Sequence, residues 1–143
     1  MPKAVFSAGI REAVMLRANR CCEYCQSQDK YSPNLFTIDH IIPEDLGGTN
    51  ETDNLAYACF LCNRLKSDKI TAFDPIAQNH VPLYNPRIHI WTQHFSWNED
   101  FTLIIGLTTT GRSTVSTLRL NREKLVEYRK ALLPFGGHPP AAV

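Results

Sequence analysis

Two pairs of cysteines, each with two residues between its members, constrain the fold of this chain more than any other feature. The pairs are Cys22 with Cys25 and Cys59 with Cys62. Four thiolates from two such pairs form a tetrahedral site suited to zinc. Redox use of this spacing usually needs a single pair near a β-α-β unit, which the sequence does not predict. We therefore expect a structural zinc site with four cysteine ligands. Such a site is not catalytic, because it has no open coordination position.

The number of cysteines also limits the alternatives. Five is an odd number for a disulfide framework, and Cys21 is expected to be a bystander because its use as a ligand would break the two-residue spacing. Residues 26–58 separate the pairs, more than the roughly 15–20 residues of an ordinary zinc ribbon. The sequence therefore predicts an inserted unit whose two ends the zinc holds together. With no apolar stretch near the length of a membrane span, we expect a cytoplasmic protein with reduced thiols and no membrane partner.

The charge of the chain is unevenly distributed. Its 15 Lys and Arg and 14 Asp and Glu residues give a net charge of only +1, which excludes a polycation that binds nucleic acid over its whole surface. Residues 32–62 carry five acidic side chains and no Lys or Arg, whereas residues 111–143 carry six basic and two acidic ones. An acidic centre facing phosphate would repel it unless a divalent cation intervened.

Hydrophobic periodicity and breaker residues predict the order of elements. A helix leads into the first cysteines, strands at Leu35 to Ile42 and Asn54 to Ala58 flank a Gly-Gly turn, and a helix runs from Asn63 to Lys69. An irregular connection is expected over residues 76–100. The remaining expectations are a strand from Phe101 to Leu107 paired with Phe95 and Trp97, and a helix capped by Asn121 that ends at Leu133. Residues 112–120 are compatible with either a strand or a helix, and a helix is favoured.

The segment between and after the cysteine pairs closely resembles the HNH endonuclease family. It contains Ile38-Asp39-His40-Ile41-Ile42-Pro43, then Gly47-Gly48, then Asn54-Leu55, and it ends in Cys59-Phe60-Leu61-Cys62-Asn63-Arg64-Leu65-Lys66. The family's motif has Asp-His-Ile-x-Pro, a Gly-Gly turn, Asn-Leu and Cys-x-x-Cys-Asn with a nearby Lys in the same order. The last position of the motif is Asn63 here, where the most familiar form has histidine.

The resemblance implies a role for each motif residue. His40 would be the general base, Asp39 and Asn63 the protein ligands of a catalytic divalent ion, and Asn54 would fix the loop and orient His40. An imidazole suits the first role because its ordinary pKa of about 6.5 lies near working pH. Two protein ligands, completed by water and substrate phosphate, suit Mg²⁺ or Mn²⁺. One difficulty is that neighbours on a strand face opposite ways, so Asp39 and His40 converge only if the strand ends or bulges there.

The basic C-terminal third is the predicted contact surface for nucleic acid. Arg122 and Arg129 are one heptad apart on the expected last helix, with Arg119 nearby, and they either contact DNA phosphates or pack their stems on the core. Lys66 either contacts phosphate or is simply solvated. For Trp91 and Trp97, packing in the core is favoured over stacking on bases.

These features predict an α+β fold. A ββα-metal (His-Me finger) core stapled by the four-cysteine zinc site occupies residues 1–75, and a C-terminal β-hairpin with a basic helix occupies 76–143, packed on the core as one folding unit. The expected function is metal-dependent hydrolysis of phosphodiester bonds in double-stranded DNA. The alternatives are a zinc-stabilised module that binds nucleic acid or protein without cutting, and a dithiol redox protein. The sequence leaves the oligomeric state open.

Overall fold

The computed structural model of the protein describes residues 5–141 as a mixture of helices and three separate two-stranded antiparallel sheets. The helices and strands follow one another in this order: α1 (Ala8–Arg17), β1 (Thr37–His40), β2 (Leu55–Ala58), α2 (Phe60–Lys66), β3 (Thr71–Asp74), β4 (Asn79–Pro82), α3 (Trp91–His94), β5 (Phe95–Trp97), β6 (Ile104–Gly106), α4 (Thr109–Thr117) and α5 (Glu123–Leu132). Among these residues, none of the helices has the length and apolar character needed to cross a membrane.

The first helix is present but ends before the cysteines. The Ser7 hydroxyl caps α1 by accepting a hydrogen bond from the Ile10 amide at 3.2 Å. After Arg17 the chain turns through Asn19 and Arg20, which both have positive φ angles of 53° and 59°. This turn redirects the backbone so that Cys22 begins a new, non-helical loop.

The inserted unit is a β-hairpin followed by a helix. Strands β1 and β2 pair in antiparallel register, with Thr37 opposite Ala58 and His40 opposite Leu55. Helix α2 begins at Phe60, three residues earlier than expected, because the second cysteine pair itself forms the first turn. The Cys59 sulfur accepts a hydrogen bond from the Cys62 amide at 3.4 Å and thereby caps this helix.

The segment after α2 differs from the expectation in one hairpin. Strand β4 lies where an irregular connection was predicted, and its partner β3 lies in a segment for which no strand was predicted. The turn between them lacks the Asn-Gly or Gly-Gly pair that usually signals a hairpin. The turn is closed instead by the Asp74 carboxylate, which accepts a hydrogen bond from the Ala77 amide at 3.0 Å. The expected hairpin further along is present, with Phe95 opposite Gly106 and a shorter second strand than predicted.

The two C-terminal helices are present, but the predicted cap is wrong. Arg122, not Asn121, occupies the N-cap position of α5 and makes no side-chain capping bond. The Asn121 amide instead pairs with β6, donating to the Ile104 carbonyl at 2.8 Å and accepting from the Ile104 amide at 2.7 Å. The Asn121 side chain, which the sequence predicted to cap the helix, therefore makes its hydrogen bonds with the hairpin instead.

One buried hydrophobic cluster contains side chains from both halves of the chain. Val14 and Leu55 come from the first half, and Phe95, Leu118 and Leu125 come from the second. Trp91 and Trp97 pack against this cluster, which confirms the prediction that they belong with the core. The core therefore joins the hairpin and α2 to the C-terminal helices.

Candidate active site

The four paired cysteines converge on one point. The sulfur atoms of Cys22, Cys25, Cys59 and Cys62 all lie within 4.8 Å of one another, and those of Cys25 and Cys59 are 3.8 Å apart. A tetrahedral zinc ion with Zn–S bonds of about 2.3 Å places its ligands about 3.8 Å apart. The donor set and its spacing therefore fit a structural metal ion of the zinc type.

Cys21 lies outside this cluster, as expected. Its Sγ atom lies 3.4 Å from the Asn19 carbonyl, and the cysteines form no disulfide. Burial raises the pKa of the Cys21 thiol to about 11, so it stays protonated at neutral pH.

Arg122 contacts the cysteine cluster, whereas the sequence predicted that it contacts DNA phosphates or packs its stem on the core. Its guanidinium nitrogens lie 3.6 Å from the Cys59 sulfur and 3.7 Å from the Cys62 sulfur. Burial lowers the pKa of Arg122, but the negative charge of Cys62, Cys25 and Cys59 outweighs it and the net pKa is raised. The side chain is half-buried, and its guanidinium is directed at the sulfur atoms of Cys59 and Cys62.

Arg129 and Lys66 are also not at the surface: Arg129 follows the alternative of packing on the core, and Lys66 is neither placed to contact phosphate nor solvated. Arg129 is 1% exposed and donates to the carbonyls of Thr102 at 2.8 Å and Leu120 at 2.6 Å. Lys66 is 1% exposed as well. Both cations have found carbonyl or carboxylate acceptors inside the fold. Of the four predicted basic contacts, Arg119 alone is exposed.

A groove of about 550 Å³ lies between β1, the turn at Glu44–Leu46 and α2. Its acidic lining residues are Asp39, Glu44, Asp45 and Asp68, with Arg64 as the one Lys or Arg among the lining residues. His40 and Asn63 line the same groove. The three residues of the predicted catalytic set therefore border one space, and its negative character favours a bound cation.

Asp39 is held in the interior by two donors. Its carboxylate is 3% exposed, accepts a hydrogen bond from the Tyr24 hydroxyl at 2.6 Å, and lies 3.2 Å from the Lys66 ammonium. Burial raises the pKa of Asp39, while Lys66 and Tyr24 act in the opposite direction. Burial and the nearby Asp39 charge also raise the pKa of Tyr24 well above its usual value, so its hydroxyl keeps the proton it donates.

His40 makes a different set of contacts from its neighbour, as strand alternation predicts. Its Nε2 atom lies 2.7 Å from the Asn50 amide oxygen and 3.6 Å from a Glu44 carboxylate oxygen. The Phe6 ring packs against the imidazole with the ring centres 5.5 Å apart. Because β1 ends at His40, both it and Asp39 still border the groove.

Asn54 fixes the loop after β1, but it is Asn50 that contacts His40. The Asn54 amide accepts from the Ile42 amide and donates to the carbonyls of Ile42 and Thr49, each at 2.9 Å. Its influence on the imidazole therefore passes through the backbone of the loop. The predicted direct orientation of His40 by Asn54 is corrected accordingly.

The Gly-Gly turn is required by the geometry of this loop. Gly47 has a φ of 90°, which residues with a side chain rarely adopt. A Cβ atom on Gly48 would overlap the Ile42 carbonyl and lie 2.8 Å from the Asn54 amide nitrogen. The second glycine thus makes room for the hydrogen bonds of Asn54.

Asn63 faces β1 from the first turn of α2. Its amide nitrogen donates to the Thr37 hydroxyl at 2.8 Å, and its amide oxygen accepts no hydrogen bond from residues 5–141. Within the described part of the chain, the four cysteines are the one group of three or more His, Cys, Asp or Glu side chains placed to hold a metal. A cation held by Asp39 and Asn63 would therefore complete its shell with water and substrate, which fits Mg²⁺ or Mn²⁺.

Residues 22–69 match the family model described as HNH endonuclease. This segment is an HNH domain. The match covers both cysteine pairs, the hairpin and α2, in agreement with the resemblance carried by the motif residues. No curated protein and no solved structure matches the chain.

The family assignment gives a general class of activity. HNH domains are generally nucleases and depend on metal, so this domain indicates nuclease-type activity and does not favour a module that only binds. Sequence reasoning on the HNH domain missed Tyr24 and Asn50. Tyr24 could have been suspected from its place inside the first cysteine pair, but no sequence signal predicted the contact of Asn50 with His40.

Proposed function

We propose that the protein is a metal-dependent DNA endonuclease that hydrolyses phosphodiester bonds with His40 as general base. The observation that carries the proposal is that His40, Asp39 and Asn63 border one acidic groove inside an HNH domain. The HNH domain alone supports only the broad class. The groove adds a base, a carboxylate and an amide oxygen within one site.

His40 is suited to accept a proton from the attacking water. When its Nε2 donates to the Asn50 amide oxygen, the other ring nitrogen, Nδ1, carries the lone pair. The contacts with Asn50 and Phe6 then fix the plane of the ring. A fixed imidazole with a free lone pair can activate water in line with the leaving oxygen.

Asp39 and Asn63 would hold one divalent cation beside this base. A bound Mg²⁺ or Mn²⁺ supplies positive charge to the phosphate in the transition state and to the leaving oxygen. The acidic lining of the groove is consistent with this role because it repels a bare phosphate. Arg64, which also lines the groove, and the exposed Arg119 are the basic groups we propose for the DNA backbone.

The four-cysteine site is proposed to hold structural zinc. It contributes no open coordination position, so it is not the catalytic centre. It joins the loop after α1 to the start of α2, and these two segments enclose the hairpin that carries Asp39 and His40.

Cleavage of supercoiled plasmid tests the proposal. The zinc-loaded wild-type protein should nick the plasmid in Mg²⁺ or Mn²⁺ and not in EDTA, and His40→Ala should lose at least about a hundredfold in rate. His80→Ala is the matched control, because His80 is an exposed histidine on β4 outside the groove. Equal nicking by the wild-type protein and His40→Ala would overturn the assignment of the base. Retarded migration of DNA without cleavage by the wild-type protein would favour the binding module instead.

A further inference from the structure

The four-cysteine site has two arms, the segment with Cys22 and Cys25 and the segment that begins at Cys59 and continues into α2. Each arm places one polar side chain beside the Asp39 carboxylate. Tyr24 lies between Cys22 and Cys25 in the first arm, and Lys66 lies on α2, the helix that begins directly after Cys59. The two side chains reach the same carboxylate from the two arms that the metal would join. The cysteine cluster and the groove are therefore connected through single residues.

All three groups of this connection are buried. Tyr24, Lys66 and Asp39 are respectively 0%, 1% and 3% exposed. The Tyr24 hydroxyl donates to one carboxylate oxygen at 2.6 Å, while the Lys66 ammonium lies 3.3 Å and 3.2 Å from the two oxygens. Lys66 also donates to the carbonyls of His40 and Ile41 at 3.1 Å, which fixes the end of β1.

The position of the Tyr24 hydroxyl is set by its surroundings. The Trp91 indole donates to the Tyr24 carbonyl at 3.0 Å. The Tyr24 ring also packs edge-on against Tyr84, with ring centres 6.3 Å apart. A rigid phenol that donates a short bond to one oxygen limits the rotation of the carboxylate.

We propose that Tyr24 is a positioning residue that orients the Asp39 carboxylate for the divalent cation and so couples the four-cysteine site to the groove. The inference rests on the proposed function, in which Asp39 is a ligand of that cation. Without the hydroxyl, the carboxylate loses the bond that limits its rotation, and the Lys66 ammonium, 3.3 Å and 3.2 Å from its two oxygens, is the charged donor that remains beside it. That ammonium then competes with the incoming cation for the same oxygens, and metal binding weakens.

Tyr24→Phe removes only the hydroxyl and tests the inference directly. Tyr57→Phe is a matched control, because the buried Tyr57 donates a hydrogen bond of the same 2.6 Å length to Asp29, a carboxylate that does not line the groove. Binding of Mn²⁺ to the zinc-loaded proteins is measured by electron paramagnetic resonance, with Asp39→Asn to identify which binding belongs to Asp39. We expect Tyr24→Phe to raise the Kd for Mn²⁺ by about tenfold, the effect of one charge-assisted hydrogen bond, and Tyr57→Phe to leave it within about twofold.

Plasmid cleavage at increasing Mn²⁺ gives a second measurement. Tyr24→Phe should need about tenfold more Mn²⁺ for half-maximal rate but should approach the wild-type rate at saturation, because the bound cation then orients the carboxylate. Equal Kd values for Tyr24→Phe and Tyr57→Phe would overturn the role of Tyr24 and leave the nuclease proposal intact. A wild-type protein that neither binds Mn²⁺ at Asp39 nor cuts DNA would overturn the proposed function itself.

A measurement on the wild-type protein covers the case in which Tyr24→Phe does not fold. With tyrosine labelled with ¹³C at the ring carbon that carries the hydroxyl, Mg²⁺ is added to the zinc-loaded protein. The Tyr24 signal should shift as Mg²⁺ binds Asp39, whereas the Tyr57 signal should not. A Tyr24 signal that stays unchanged while the backbone amide signals of Asp39 and His40 shift with Mg²⁺ would contradict the coupling.

Discussion

At the scale of single residues, Asp39 and His40 are neighbours in the sequence but contact different side chains. Asp39 is enclosed by Tyr24 and Lys66, while His40 contacts Asn50 and packs against Phe6. Strand alternation separates the two side chains, and the end of β1 at His40 lets both border the groove. The proposed pairing of a cation ligand with a base thus needs no bulge.

Replacing Gly48 tests how strictly the loop determines the position of His40. Gly48→Ala should lower the rate of plasmid cleavage by at least about tenfold, because the new methyl group displaces the Ile42 carbonyl and the Asn54 amide. Gly9→Ala is the matched control, since a Cβ atom there meets nothing within 4 Å. Cleavage by Gly48→Ala at the wild-type rate would show that the loop adapts without cost to the site.

Arg122 should affect how tightly the cysteine cluster holds its metal. Arg122→Met removes the guanidinium that contacts the Cys59 and Cys62 sulfurs, so zinc affinity should fall by about tenfold. Competition with a chromophoric chelator measures this change. Lys130→Met, which removes an exposed cation from α5, the helix that follows Arg122, should leave the affinity unchanged. If both variants hold zinc with the wild-type affinity, Arg122 does not stabilise the site.

At the scale of elements, the parts with strong local signals were predicted and those held by tertiary contacts were not. The hairpin of β5 and β6 was predicted because Phe95 and Trp97 alternate toward the core. The hairpin of β3 and β4 was missed because the Asp74 side chain closes its turn and Arg112 of α4 anchors that carboxylate. Local sequence carries no sign of that partner, which lies far along the chain.

The ion pair between Asp74 and Arg112 should make stability depend on pH. Hydrogen bonding by Arg112, at 3.0 Å, lowers the pKa of the buried Asp74 below its usual value. A carboxyl group with a lowered pKa in the folded state contributes stability at and above its unfolded pKa of about 3.9, and loses it as the pH falls through the folded pKa. Asp74→Asn should therefore be less stable than wild type at pH 7, and the difference should narrow below about pH 4. Urea unfolding from pH 7 to pH 3 measures it, and a difference that does not vary with pH would contradict this account.

At the scale of the whole molecule, two clusters of side chains bring distant segments of the chain together. One is the hydrophobic cluster that joins residues from both halves, and the other is the group of four cysteines that joins the loop after α1 to α2. The HNH domain spans the second cluster, and the C-terminal helices cover it through Arg122. The C-terminal segment thus contacts the candidate metal site through Arg122, for which the sequence had left open a contact with DNA phosphates or packing on the core.

Loss of one cysteine ligand should affect folding before turnover. Cys59→Ser should purify without stoichiometric zinc and lose much of its cooperative thermal unfolding, because metal binding and folding are coupled at such sites. Cys21→Ser is the internal control, since Cys21 lies outside the cluster, and it should retain both zinc and the folded state. Zinc analysis with circular dichroism distinguishes the two variants. A folded, zinc-free Cys59→Ser protein would contradict the structural role.

The sequence by itself predicted that the four paired cysteines form one cluster, the order of β1, β2 and α2, and that Asp39, His40 and Asn63 belong to one site. These features follow from local spacing and pattern, which need no knowledge of distant contacts. Only the tertiary structure decided which cations are buried and what faces the motif residues. Lys66, Arg122 and Arg129 all looked available for phosphate, but each found an acceptor in a remote segment that neutralises its charge or satisfies its hydrogen bonds. Such acceptors come together only when the chain is folded. The sequence could therefore indicate the motif residues of the site but not the residues that hold their side chains in place.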